Sequence, residues 1–221
     1  MSARQGSPHS IWYASYGSNL NRDRFMCYIE GGRPHGSTHQ NSGARDRTPP
    51  TDNGTVTLPY DLYFAGYSNG WNGAPAFIRK SNDKRTYFRM YRISDDQFND
   101  VVLQENGKPV DGVRFVPAFE ELLAIPEFIL PGNPLYGKLL HVGDDGGSPI
   151  LTFSTALDLP IAPPSAAYIK VIASGLKETY PHMSNSDICE YLSQCDGIRD
   201  GGISGFELVT CVTEARPRSD R

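Results

Sequence analysis

The sequence predicts a mixed α+β domain. Short runs rich in aromatic and β-branched residues recur along the chain, and stretches with apolar residues at helical spacing lie between them. The 22 glycines and 17 prolines add many turns and long loops. At 221 residues the chain is long enough to bury a full core as one domain.

Residues 1–10 are expected to be disordered, residues 11–213 to form the domain, and residues 214–221 to make a polar tail. The run Ile11 to Tyr16 has strand composition. The chain then turns at Gly17 and starts a helix, with Phe25, Tyr28 and Ile29 at i, i+3, i+4. Residues 31–59 lack periodicity and predict a long loop, of a length usually functional or mobile. Strands are predicted over 61–67, 74–79 and 85–93, with Gly73 and Phe77 at the junction of the first two. Ser94 and Gln97 make a capping box, Phe98, Val101 and Val102 form the stripe behind it, and Asn106-Gly107 is a stop signal. Residues 110–134 carry no clear pattern. Strands follow over 135–142 and 149–153, joined by a tight turn at 143–147 in which Asp144 and Asp145 favour turning. Ala162 to Tyr168 opens a helix with Pro164 near its first position and a stripe of Tyr168, Val171, Ile172, Gly175, Leu176 and Thr179. Ser184 and Asp187 cap the last expected helix, which Asp196-Gly197 ends.

Charge and composition exclude several classes. The net charge of −4 and the lack of a long basic run argue against nucleic acid as a partner. No apolar run approaches membrane-spanning length, so no membrane partner is expected. The first ten residues hold no apolar core of a secretory signal. Cys27, Cys189, Cys195 and Cys211 show no CxxC pairing and read as reduced thiols of a cytoplasmic protein. His35 and His39 have the i, i+4 spacing of a metal pair but no acidic third ligand, so no metal and no cofactor is expected. Arg45-Asp46-Arg47 either holds the long loop by ion pairs or offers guanidinium groups to a carboxylate. Nothing in the sequence sets the oligomeric state.

Two places carry candidate chemistry. Gly17, Ser18 and Asn19 stand at a strand-to-helix turn, where free backbone N–H groups and the helix dipole favour an anion. The same residues also suit an ordinary helix cap. Glu105 lies three, four and seven residues after Val102, Val101 and Phe98, so helical spacing puts its carboxylate on the buried face. Burial and the C-terminal end of the dipole both favour a protonated carboxyl there, the environment of a general base tuned towards neutral pH.

Tyr13-Ala14-Ser15-Tyr16-Gly17-Ser18-Asn19-Leu20 resembles the N-terminal signature of the gamma-glutamylcyclotransferase family. Gln104-Glu105-Asn106-Gly107 is similar to the family's catalytic segment, with one residue inserted before the glycine, and the Pro163-Pro164-Ser165 helix start with Tyr168 is similar to a third family feature. The resemblance implies a small, β-barrel-like mixed sheet with flanking helices. It implies Glu105 as the catalytic base and Tyr13, Ala14, Ser15, Tyr16, Gly17, Ser18, Asn19 and Tyr168 as substrate-binding residues, with Gly73 and Phe77 as neighbours of the site. The implied reaction converts a small-molecule L-gamma-glutamyl compound to 5-oxoproline and a free amine. An amide hydrolase acting on the same substrates and a non-catalytic binding module are the alternatives.

Overall fold

A computed structural model describes residues 9–34 and 40–217. Most of the stretch expected to be disordered, the His35 and His39 pair, and residues 218–221 of the tail therefore lie outside the described residues. Eight strands and six α-helices are found among those described. The first half holds β1 (Ser10–Ser15), a 3-10 turn (Ser18–Leu20), α1 (Arg22–Glu30), β2 (Asp52–Leu58), β3 (Tyr60–Phe64), β4 (Ala76–Lys80), β5 (Thr86–Ser94) and α2 (Asp95–Glu105). The second half holds α3 (Phe119–Leu123), β6 (Glu127–Ile129), β7 (Lys138–Asp145), β8 (Ser148–Ser154), α4 (Ala166–Thr179), α5 (Asn185–Ser193) and α6 (Gly205–Glu214).

Six strands form one mixed sheet in the order β2-β5-β1-β8-β7-β6. Strand β1 runs antiparallel to β5 and parallel to β8. It is the central strand of the site, apolar on both faces. Ile11 and Tyr13 face a core shared with Phe25 and Ile29 of α1 and with Phe98, Val101 and Val102 of α2. Trp12 and Ala14 face a second core with Ile169, Ile172 and Leu176 of α4, Leu192 of α5 and Val212 of α6. Strands β3 and β4 form a separate hairpin. Ser154 ties it to β8, its hydroxyl donating to Ile78 O at 2.8 Å and accepting from Ile78 N at 3.0 Å. The fold class is α+β, as expected, but the sheet is not a closed barrel. It ends at β2 and β6, and the hairpin meets it through a side chain instead of a ladder.

Several expectations are corrected. The aperiodic segment 31–59 ends in β2, whose seven residues pair with β5 although only Val56 and Leu58 are apolar. An edge strand takes its pairing from its neighbour's backbone and needs little hydrophobic pattern of its own. Asp144 and Asp145 lie in β7; the turn is Gly146-Gly147, with φ of +55° and +76°, the sign that a two-residue hairpin turn requires. The last helix is α6, beyond the one expected to be last. Its Ser204 cap and its Leu208, Cys211 and Val212 stripe were readable, but Val209, Thr210, Val212 and Thr213 make it β-branched. Arg45 is structural: it pairs with the buried Asp100 at 2.9–3.1 Å and fixes the long loop on α2. The four cysteines are unpaired. Among the described residues no helix is long and apolar enough to cross a membrane.

Candidate active site

β1 delivers the chain into the 3-10 turn, closed by Leu20 N to Gly17 O at 3.0 Å and Asn21 N to Ser18 O at 3.1 Å. The first N–H groups of such a turn, those of Ser18 and Asn19, have no acceptor inside it. Asn21 then caps α1 by accepting from Arg24 N at 2.9 Å. The turn is held hard. Tyr91 donates its hydroxyl to Asn19 O at 2.8 Å, and Arg89 donates to Leu20 O at 3.1 Å.

Glu105 is the last residue of α2 and only partly exposed. Asn19 Nδ2 donates to its Oε1 at 3.0 Å and to the Tyr13 hydroxyl at 3.2 Å, so the turn and the helix end meet at one amide. The Tyr28 phenol of α1 also comes within hydrogen-bonding reach of Glu105. The residues flanking Glu105 are pinned. Gln104 donates to Tyr28 O at 3.0 Å and accepts from Gly43 N at 3.2 Å. Asn106, the inserted residue, accepts from Tyr136 N at 2.9 Å and donates to Tyr136 O at 3.2 Å. The insertion thus carries Tyr136 into the site.

Tyr168 enters from the first turn of α4, whose N-cap is Ser165. Its hydroxyl accepts from Ala76 N at 3.3 Å, and its ring lies 4.8 Å from that of Trp71. Together these residues line an open cavity of about 40 Å³, room for a few waters on the order of 10–15 Å³ each. Tyr13, Tyr16, Gly17, Ser18, Asn19, Glu105 and Tyr168 line it. Ala14 and Ser15 do not. Strand alternation sends the Ala14 methyl into the second core and the Ser15 hydroxyl onto Arg89 O at 3.2 Å. Gly73 and Phe77 stand one layer out: Gly73 lies against the start of α4, and Phe77 packs on Tyr136 at 5.2 Å.

Trp71, Ala76, Tyr136 and Phe153 complete the lining. No spacing rule points to them, because each comes from a different turn or strand. Burial raises the phenols of Tyr13, Tyr16, Tyr28 and Tyr136 well above the ordinary value and that of Tyr168 to about 12, and the Glu105 charge pushes all five the same way. These phenols are therefore neutral hydrogen-bonding groups near neutral pH, and Glu105 is the carboxylate among them. Among the described residues no three His, Cys, Asp or Glu side chains group to hold a metal ion.

Comparison with known proteins bears on the fold. No family model matches the chain. Histone deacetylase 5 of Arabidopsis thaliana is 36% identical over 187 residues, covering 76% of this chain and 28% of that protein. The chain thus spans little over a quarter of the relative, whose name describes the whole. A solved structure of an uncharacterized human protein aligns over 96% of this chain and 92% of its own, at 16% identity and a TM-score of 0.49. A gamma-glutamyl cyclotransferase structure aligns over 93% of this chain and 99% of its own, at 16% identity and a TM-score of 0.51. The mixed sheet, the separate hairpin and the helices on both faces are accordingly the fold of that cyclotransferase structure.

Proposed function

We propose that the protein is a gamma-glutamylcyclotransferase-type enzyme that converts an L-gamma-glutamyl compound to 5-oxoproline and a free amine. The observation that carries this is the Asn19–Glu105 hydrogen bond of 3.0 Å, which joins the Tyr16-Gly17-Ser18-Asn19 turn to a carboxylate in one cavity. The fold of a cyclotransferase supports it.

The glutamyl half sits against the turn, with the N–H groups of Ser18 and Asn19 towards its oxygens. Glu105 takes a proton from the substrate α-amine. The amine nitrogen attacks the γ-carbonyl carbon of the same molecule and closes a five-membered ring. Turn N–H groups steady the oxyanion. The bond from that carbon to the leaving nitrogen then breaks, and Glu105 returns the proton to the departing amine. No water and no cofactor is consumed. Attack within one molecule carries a high effective molarity, so the protein's work is to bend the substrate and set its protonation. Tyr168, Trp71 and Tyr136 wall the cavity.

The test is mass spectrometry of the purified chain with gamma-glutamyl amino acids, amines and glutathione. We expect 5-oxoproline, and in Glu105→Gln a fall in turnover on the order of 10²–10⁴-fold with the fold intact. A fully active Glu105→Gln protein sinks the assignment. Free glutamate in place of 5-oxoproline would make the protein a hydrolase.

A further inference from the structure

Glu105 stands where a negative charge is disfavoured. It is the last residue of α2, at the negative end of the helix dipole, and α2 carries no basic residue in its last turn. It is also only partly exposed. The titratable groups that feel its charge come from several elements: Tyr13 and Tyr16 from β1 and the residue after it, Arg24 and Tyr28 from α1, Tyr136 from the approach to β7, and Tyr168 from α4. Five of these are phenols, neutral near neutral pH. Arg24 is the cation.

Arg24 is 8% exposed. It lies one helical turn before Tyr28, on the same face of α1. Its guanidinium donates to the Tyr28 hydroxyl at 2.5 Å and to Asn41 Oδ1 at 3.3 Å. Because Tyr28 accepts from Arg24, its own proton is free to point to Glu105, which is within hydrogen-bonding reach. A hydroxyl that accepts from a cation is the stronger donor for it. Guanidinium, phenol and carboxylate thus form one chain from α1 to the end of α2. Burial works against the Arg24 charge, but Tyr28 and Glu105 more than offset it, so the guanidinium stays charged. Such coupling is reciprocal: what the carboxylate does for the guanidinium, the guanidinium does for the carboxylate.

We propose that Arg24, acting through Tyr28, is a positioning residue for the base: it holds the Glu105 carboxylate ionised and directed into the cavity near neutral pH. This rests on the cyclotransferase reading, in which Glu105 takes the α-amine proton. A protonated carboxyl cannot take it. The acid limb of kcat/KM is then set in part by a residue outside the cavity lining.

Carbon-13 NMR of the full chain with labelled glutamate carboxyls tests it, the Glu105 signal being the one that Glu105→Gln removes. In Arg24→Met the Glu105 titration midpoint should rise by about one pH unit, because an opposite charge has been taken away. In Arg24→Lys, which keeps the charge, it should stay within about 0.3 pH unit of the unaltered chain. The acid limb of kcat/KM should move with the midpoint. A folded Arg24→Met protein whose midpoint does not move overturns the proposal, even if its activity falls equally at every pH, which is what a merely structural role would give. So does Arg24→Lys moving as far as Arg24→Met. If Arg24→Met does not fold, Tyr28→Phe decides: removing the link should raise the midpoint by at least about half a pH unit, and an unmoved midpoint overturns the proposal. Release of 5-oxoproline by the unaltered chain separates the two claims. A midpoint that moves in a protein making no 5-oxoproline keeps the coupling and loses the reaction; 5-oxoproline release with an unmoved midpoint keeps the reaction and loses the coupling.

Discussion

Gly17 owes its place to Tyr168. A methyl at Gly17 would lie 3.1 Å from the Tyr168 hydroxyl and 3.5 Å from the Ala76 Cβ, inside the cavity lining. That hydroxyl cannot retreat cheaply, because it accepts the Ala76 N–H at 3.3 Å. The Gly17 φ of −109° lies outside the left-handed region, and the close neighbours of its Cα are the constraint the structure shows. Gly17→Ala should therefore hold its unfolding free energy within about 1 kcal/mol. Its kcat/KM for 5-oxoproline release should fall on the order of ten- to a hundredfold, from displaced substrate. Steady-state kinetics beside a urea titration checks both. A loss of stability with unchanged kinetics would show that Gly17 serves the fold and not the site.

At the scale of elements, α4 positions the turn. A methyl at Gly175, in the middle of that helix, would lie 2.4 Å from Asn21 N and 2.5 Å from the Leu20 carbonyl carbon. Glycine lets the helix touch the turn's backbone directly. One helical turn on, Glu178 accepts from Asn21 Nδ2 at 2.8 Å, Arg22 N at 3.1 Å and Arg89 at 3.0 Å, and so ties α1, α4 and β5 together. Alanine is the better helix former by about 1 kcal/mol, so propensity alone predicts a gain from Gly175→Ala. The backbone clash reverses that, and we expect a net loss of about 2–3 kcal/mol. Urea unfolding measures it; a stabilised variant would mean the contact between α4 and the turn is looser than described.

Across the whole molecule, both faces of the sheet and the hairpin bury phenols around one carboxylate. Tyr13, Tyr16, Tyr28 and Tyr136 are raised well above 10.0 and Tyr168 to about 12, burial being the first cause for each. Below about pH 10 these phenols are neutral in both folded and unfolded chains. Above it the unfolded chain ionises first, the folded state binds more protons, and stability is lost as pH rises through the folded values. Each phenol contributes a slope of up to about 1.4 kcal/mol per pH unit in that window. Absorbance at the phenolate band and near-ultraviolet circular dichroism should therefore change together above about pH 10. Site phenols that ionise near the ordinary value in a still-folded protein would contradict this.

By itself the sequence determined the local parts. The strand Ile11 to Ser15, the capping box of Ser94 and Gln97, the buried stripe ending at Glu105 and the helical stripe that starts at Tyr168 follow from periodicity and capping chemistry within a dozen residues, although the helix begins at Ala166 behind a Ser165 cap and not at Pro164. Resemblance named the turn and the glutamate, and both line one cavity. Only the tertiary structure decided what depends on partners far along the chain. β2 exists because β5 pairs it, and the sheet stays open because neither β2 nor β6 finds a second neighbour. The turn meets the helix end through Asn19 and Glu105, 86 residues apart, while Asn106 draws Tyr136 into the wall across 30 residues. Ala14 and Ser15 share the signature but not the site, because the pleat turns them to a core and a backbone carbonyl.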